Sequence, residues 1–95
     1  MPCVGVLILE LRLDDAHSLK DKRHYVKSLK DRLRSKFNVA VAEIDHQDLW
    51  QRGTVAVVTV SEDRTRAAQV LENVDRDAAA LLGGVLVGSS TEWLS

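Results

Sequence analysis

Lys20, Arg23, Lys27, Lys30 and Arg34 recur at i, i+3, i+7, i+10 and i+14 in the stretch SLKDKRHYVKSLKDRLRSKF, which begins at Ser18. At 100° per residue they occupy an arc of about 80° on an α-helix and a row some 20 Å long. A row of cations on that scale can neutralise several phosphates of a duplex or a folded RNA. The same row would also hold an acidic protein surface, including the acidic part of a second copy. Charge runs on exposed helices often serve solubility alone. The spacing does not separate these readings. From Ser18 to Lys36, eight of the thirteen Lys and Arg meet only Asp21 and Asp31, a net of +6. The remaining five cations face twelve acids, a net of −7, so the formal total of −1 conceals a dipole. Lys22, Arg32 and Lys36 are assigned to the flank opposite the row.

Trp50 and Arg52 are the next candidates. An exposed Trp beside an Arg in a loop would stack a base. Large aromatics more often bury most of their area, so Trp50 is expected to fold down and plug the open end of the domain. Trp93 reads as packing. His17, His24 and His46 are scattered, with no C-x-x-C or H-x-x-x-H spacing. Asp45, His46 and Asp48 in DHQD offer ligand types, but such a cluster is more often a polar turn. Cys3 lacks a neighbouring cation that would lower its pKa and reads as packing. Ser89 and Ser90 lack a nucleophile-elbow context. No catalytic residue, metal ligand or cofactor is assigned, and the chain is expected to be non-enzymatic.

The elements that must position these residues follow from periodicity. Met1–Leu13 alternates as a strand, with Leu7, Leu9, Leu11 and Leu13 on one face and Val4, Val6, Ile8, Glu10 and Arg12 on the other. Ser18 is the expected N-cap of a first helix, with Asp21 completing an approximate capping box. Leu19, Val26, Leu29, Leu33 and Phe37 form its apolar side, with Tyr25 at the margin. Asn38 is expected to close it in the left-handed conformation. A second strand covers Val39–Asp45 and a third, Thr54–Ser61, is rich in Val and Thr. Ser61 or Asp63 caps a second helix whose inward side is Ala67, Val70, Leu71, Val74, Ala78, Leu81 and Leu82. Gly83 and Gly84 end it, and VLVGSSTEWLS supplies a fourth strand.

The order β-α-β-β-α-β predicts a single α+β domain over residues 1–95: a ferredoxin-like sandwich, with a four-stranded antiparallel sheet and two helices on one face. Ninety-five residues allow one core but no deep enclosed active site. No apolar run approaches the roughly 18 residues of a membrane span, and no membrane association is expected. No basic leader precedes the first strand, and the one cysteine forms no internal disulfide, so a reducing, cytoplasmic setting is expected. The central strands VGVLILEL and TVAVVTV carry no aromatic residue, which excludes base stacking on the sheet. Paired cysteines for a metal chaperone are missing. The segment DDAHS is acidic and lacks the glycine an anion-cradling catalytic loop needs. Val on both faces of the first and third strands leaves one apolar face that needs a second copy or the C-terminal tail to cover it.

The motifs SLKDKR, KFNVAVAE and DLWQ followed by a Gly-led strand resemble the YlxP-like family of small bacterial proteins, domain of unknown function 503. The resemblance spans nearly the whole chain, and Ser18, Leu19, Lys20, Lys22, Arg23, Asn38 and Trp50 fall on its motifs. It implies the ferredoxin-like sandwich. Through association with genes for translation initiation and ribosome maturation, it also implies a ribosomal or RNA setting. It carries no catalytic residues. The leading expectation is an accessory protein that meets RNA or the ribosome through Lys20, Arg23, Lys27, Lys30 and Arg34, with Trp50 and Arg52 as additional contacts. The alternative is an interaction module that dimerises through the open sheet face and docks an acidic partner on the basic helix.

Overall fold

The structure, a computed structural model, describes residues Met1–Ser95. Its elements are β1 (Cys3–Arg12), α1 (Leu19–Lys36), β2 (Ala40–Asp45), β3 (Arg52–Ser61), α2 (Arg64–Leu82) and β4 (Leu86–Trp93), with a short 3-10 turn at Gly83–Val85. The strands form one antiparallel sheet in the order β2-β3-β1-β4. In β1, the odd-numbered leucines Leu7, Leu9 and Leu11 pack against Val26, Leu29 and Leu33 of α1 and Leu71, Val74 and Ala78 of α2. Leu9, Leu29 and Leu33 are completely buried, and each such side chain contributes roughly 1.5–3 kcal/mol. The predicted β-α-β-β-α-β order and the two-helix face are therefore what the chain adopts.

The helix starts are set locally. Ser18 Oγ accepts the Asp21 amide at 3.1 Å, while Asp21 Oδ2 accepts the His17 amide at 2.9 Å, one residue earlier than in a standard capping box. Asp63, not Ser61, caps α2, accepting the Thr65 amide at 2.9 Å. Gly83 ends α2 with φ 55°, a conformation that favours glycine. Gly5 is required by close approach. A Cβ there would lie 2.8 Å from both Leu71 Cδ1 and Trp93 Cζ3, so its absence lets Trp93 pack onto the core beside β1.

Three expectations are corrected. Asn38 does not close α1 in the left-handed region; the helix ends at Phe37, whose extended backbone donates its N–H to Leu33. Leu81 is 44% exposed, because the second helix turns its buried side through Ala78 and Leu82 instead. The C-terminal tail does not cross the open sheet face. Leu94 and Ser95 continue alongside β1 through Leu94 N–H to Val4 O and Val4 N–H to Ser95 O. Val4, Val6 and Ile8 of β1, in register with Val60, Val58 and Ala56 of β3, thus form an apolar surface with no helix over it.

Candidate nucleic-acid interface

The eight cations of α1 divide into three groups. Lys22 is buried, with none of its surface exposed. Its ammonium donates to the carbonyls of His46 (2.6 Å) and Arg52 (3.2 Å) and lies 2.9 Å from Glu43 Oε2. The ammonium thus makes two hydrogen bonds to carbonyls and an ion pair with Glu43, whose buried Oε2 has no hydrogen-bond partner, and this clasp ties the first turns of α1 to both ends of the β2–β3 connection. Gly53 helps make room: a Cβ there would lie 3.3 Å from Glu43 Oε2. The assignment of Lys22 to the flank opposite the row, with Arg32 and Lys36, is therefore corrected: it stands within the buried side of α1. It stands where the apolar spacing Leu19, Val26, Leu29, Leu33 leaves a gap of seven residues. The alternation Val39, Val41, Glu43 likewise places Glu43 toward the helices. These two patterns were the available signals for the clasp, and charge alone hid them.

Arg32 and Lys36 form the second group. They converge on Asp77 of α2, Arg32 through Nε at 3.1 Å and Nη2 at 3.3 Å, and Lys36 through Nζ at 2.7 Å. The hydrogen bonds from Arg32, and then Lys36, hold the Asp77 carboxyl below its ordinary value. This flank of α1 faces its neighbouring helix, and its two cations share one carboxylate there.

The third group is the row itself. Lys27 pairs with Asp31 at 2.7 Å, one turn on, and this hydrogen bond holds Asp31 below its ordinary value, with Arg34 and Lys30 adding to the effect. Lys20, Arg23, Lys30 and Arg34 have no acidic partner within ion-pair distance. They lie on the flank of α1 turned away from Asp77 and span roughly 21 Å, at 1.5 Å per residue.

Trp50 does not plug the sandwich. It is 48% exposed, beside Leu49 at 47%. Its loop is held at both ends by the buried Lys22, through the carbonyls of His46 and Arg52. Because Lys22 lies between Lys20 and Arg23, the clasp brings the Trp50 loop to the same end of the molecule as the start of the row. Arg52 is separated from them. Its backbone carbonyl meets Lys22, but its side chain shares the opposite sheet face with its register partner Arg12. Trp93 is half-buried, with the Arg64 guanidinium 4.5 Å from its ring centroid. No group of three His, Cys, Asp or Glu side chains comes together as a metal site. No helix is long and apolar enough to cross a membrane.

The sheet order and its two helices define a ferredoxin-like sandwich. The fold matches the de novo designed protein Foldit4 with a TM-score of 0.60 at 10% identity, over 100% of this chain and 98% of that one. It also matches a dimeric ferredoxin-like protein of unknown function from Thermobifida fusca YX, with a TM-score of 0.51 at 13% identity, over 97% and 91% of the two chains. Within that class, residues 4–81 match the family described as Protein of unknown function (DUF503). Uncharacterized protein YlxP of Bacillus subtilis (strain 168) is 38% identical over 71 residues, covering 75% of this chain and 77% of that protein. The chain belongs to the DUF503 family.

Proposed function

We propose that the chain is a non-enzymatic accessory protein that contacts structured RNA, in a ribosomal setting, through α1. The observation that carries this reading is the asymmetry of the helix. Arg32 and Lys36 on one flank are tied to Asp77, whereas Lys20, Arg23, Lys30 and Arg34 on the other have no acid. A solubilising face has no need of that segregation, since cations and acids interspersed would serve as well. Lys20, Arg23, Lys30 and Arg34 meet phosphates, and Trp50 adds its exposed ring at the start of the row. Lys27, tied to Asp31, is the weaker member. The test is co-sedimentation with ribosomal subunits using the wild type and a Lys30→Glu, Arg34→Glu variant. Saturable binding lost in the variant supports the reading, and binding indifferent to the reversal refutes it.

A second reading has its own support. On the face without helices, Val4, Ile8 and Val58 are half-buried and Val60 is exposed, an apolar surface that a second copy would cover. Four strands of about 4.8 Å spacing and eight residues of 3.3 Å rise give a face of roughly 500 Å² per copy. Two such faces reach the ~1,000 Å² at which specific interfaces begin. The Thermobifida fusca protein of like fold is described as dimeric. In this arrangement both helical layers face outward, and the basic helix remains free to dock an acidic partner. Sedimentation equilibrium decides the oligomeric part: a dimer at working concentration supports it, and a monomer at every concentration removes it.

A further inference from the structure

We propose that the end of the open sheet face, between Arg12 and Arg52, is an anion site that takes a phosphoryl group. Arg12 and Arg52 are direct register partners on β1 and β3, so their Cα atoms are about 4.5–5.5 Å apart. Two like charges placed opposite each other on a sheet destabilise it unless something lies between them. Arg52 has no ion pair. Arg12 has only Asp14, at 3.0 Å on a well-exposed contact that an incoming anion can displace. Both side chains line an open depression of about 570 Å³, together with Glu10, Leu11, His46, Val87 and Gly88.

Two further features converge on this depression. The β1–β4 register shifts at Glu10–Leu11, a bulge of the kind that re-aims side chains beside binding sites. His46, which lines the wall, is the only non-glycine residue with positive φ, at 61°. Such a conformation persists only where neighbours enforce it, and it concentrates at functional positions. Here the neighbours are explicit. Asp45 Oδ1 accepts the His46 N–H at 2.8 Å, and the His46 carbonyl accepts Lys22 Nζ at 2.6 Å and the Leu49 N–H at 3.0 Å. The buried Lys22 clasp therefore acts as a positioning group that fixes His46 at the rim of the hollow.

The chemistry of the hollow suits a phosphoryl group. Two guanidinium forks can each give paired N–H donors to phosphate oxygens, and an imidazole N–H adds a third direction. Glu10 tempers the positive field; its Oε2 accepts the Thr54 hydroxyl at 2.9 Å, which leaves Oε1 to accept from a hydroxyl borne by the ligand. Asp45 lies beside His46, with 4.0 Å from Oδ2 to Nε2. The phosphoryl group can belong to a small phosphate ester or to the end of an RNA strand. The site stands apart from the basic row of α1, so its failure and that of the RNA reading are separable.

The test is an NMR titration of the wild type with inorganic phosphate in a phosphate-free, low-salt buffer. Arg12→Gln, Arg52→Gln and the helix variant Lys30→Glu, Arg34→Glu are titrated alongside. Shifts confined to residues 10–12, 46, 52 and 87–88, weakened about tenfold or more in each Gln variant and unchanged in the helix variant, support the site. Absence of shifts, shifts centred on α1, or binding unaltered by both Gln substitutions would overturn it. Once phosphate binds, competition by a short RNA oligonucleotide with a 5′ phosphate, but not by its unphosphorylated twin, assigns the site to an RNA end. Indifference to both, with displacement of phosphate by a small ester such as glycerol phosphate, assigns it to a small phosphate ester.

Discussion

Lys22 stands where α1 presents its buried side to the sheet, and its charge is answered by Glu43 and two backbone carbonyls. Removing the cation leaves the largely buried Glu43 carboxylate without its counter-charge and takes a donor from the part-buried carbonyls of His46 and Arg52. Lys22→Met should therefore destabilise the fold by about 3 kcal/mol, read as a shift in the urea midpoint. Adding Glu43→Gln should recover part of that loss. An unshifted midpoint in Lys22→Met would mean the clasp is not structural. Asp31 offers the opposite kind of change. Asp31→Asn releases Lys27 into the row, so the dependence of RNA affinity on salt should steepen by about 0.7–0.9 in log–log slope. An unchanged slope would show that Lys27 does not face the nucleic acid. Lys22 also marks what composition conceals. Its charge suggested solvent, while its place in the apolar spacing required burial. Only the second of these depends on what surrounds the residue once the chain is folded.

At the scale of elements, Asp77 joins the two helices by accepting from Arg32 and Lys36. Its folded-state pKa is depressed below the ordinary 3.8, so its contribution to stability is present above that value and is lost as pH falls through the folded one. Asp77→Asn should lower stability at neutral pH and flatten the further loss below pH 3.8, seen in urea midpoints taken on both sides of that value. Equal acid sensitivity in the two proteins would contradict the pairing. The helices and strands themselves were legible, because alternation in β1 and the 3.6-residue spacing of α1 and α2 encode which face is buried. What was not legible depends on contacts between distant segments. Trp50 stays exposed in a loop held at both ends by Lys22, and the positive φ that Asn38 was expected to adopt occurs instead at His46, where the Lys22 and Asp45 hydrogen bonds hold it. Arg52 lies near Trp50 in sequence, but Trp50 belongs to the loop, whereas Arg52 opens β3 opposite Arg12 and so shares that residue's helix-free face.

For the whole molecule, the near-zero total charge is a poor guide to its surface. Of the eight cations between Ser18 and Lys36, Lys22, Arg32 and Lys36 are paired with Glu43 and Asp77, and Lys27 with Asp31. What reaches outward is a row of four unanswered cations on one flank, on the helical layer opposite the apolar sheet face. The two surfaces do not compete, so a copy paired through its sheet would still present its row. If this row holds RNA phosphates, as proposed, affinity for ribosomal RNA across a salt series will separate the wild type from Lys30→Glu, Arg34→Glu. Four phosphate contacts predict a wild-type slope of log affinity against log salt of about −2.8 to −3.6, much reduced in the variant. A slope near zero, or the same slope in both proteins, would contradict the account.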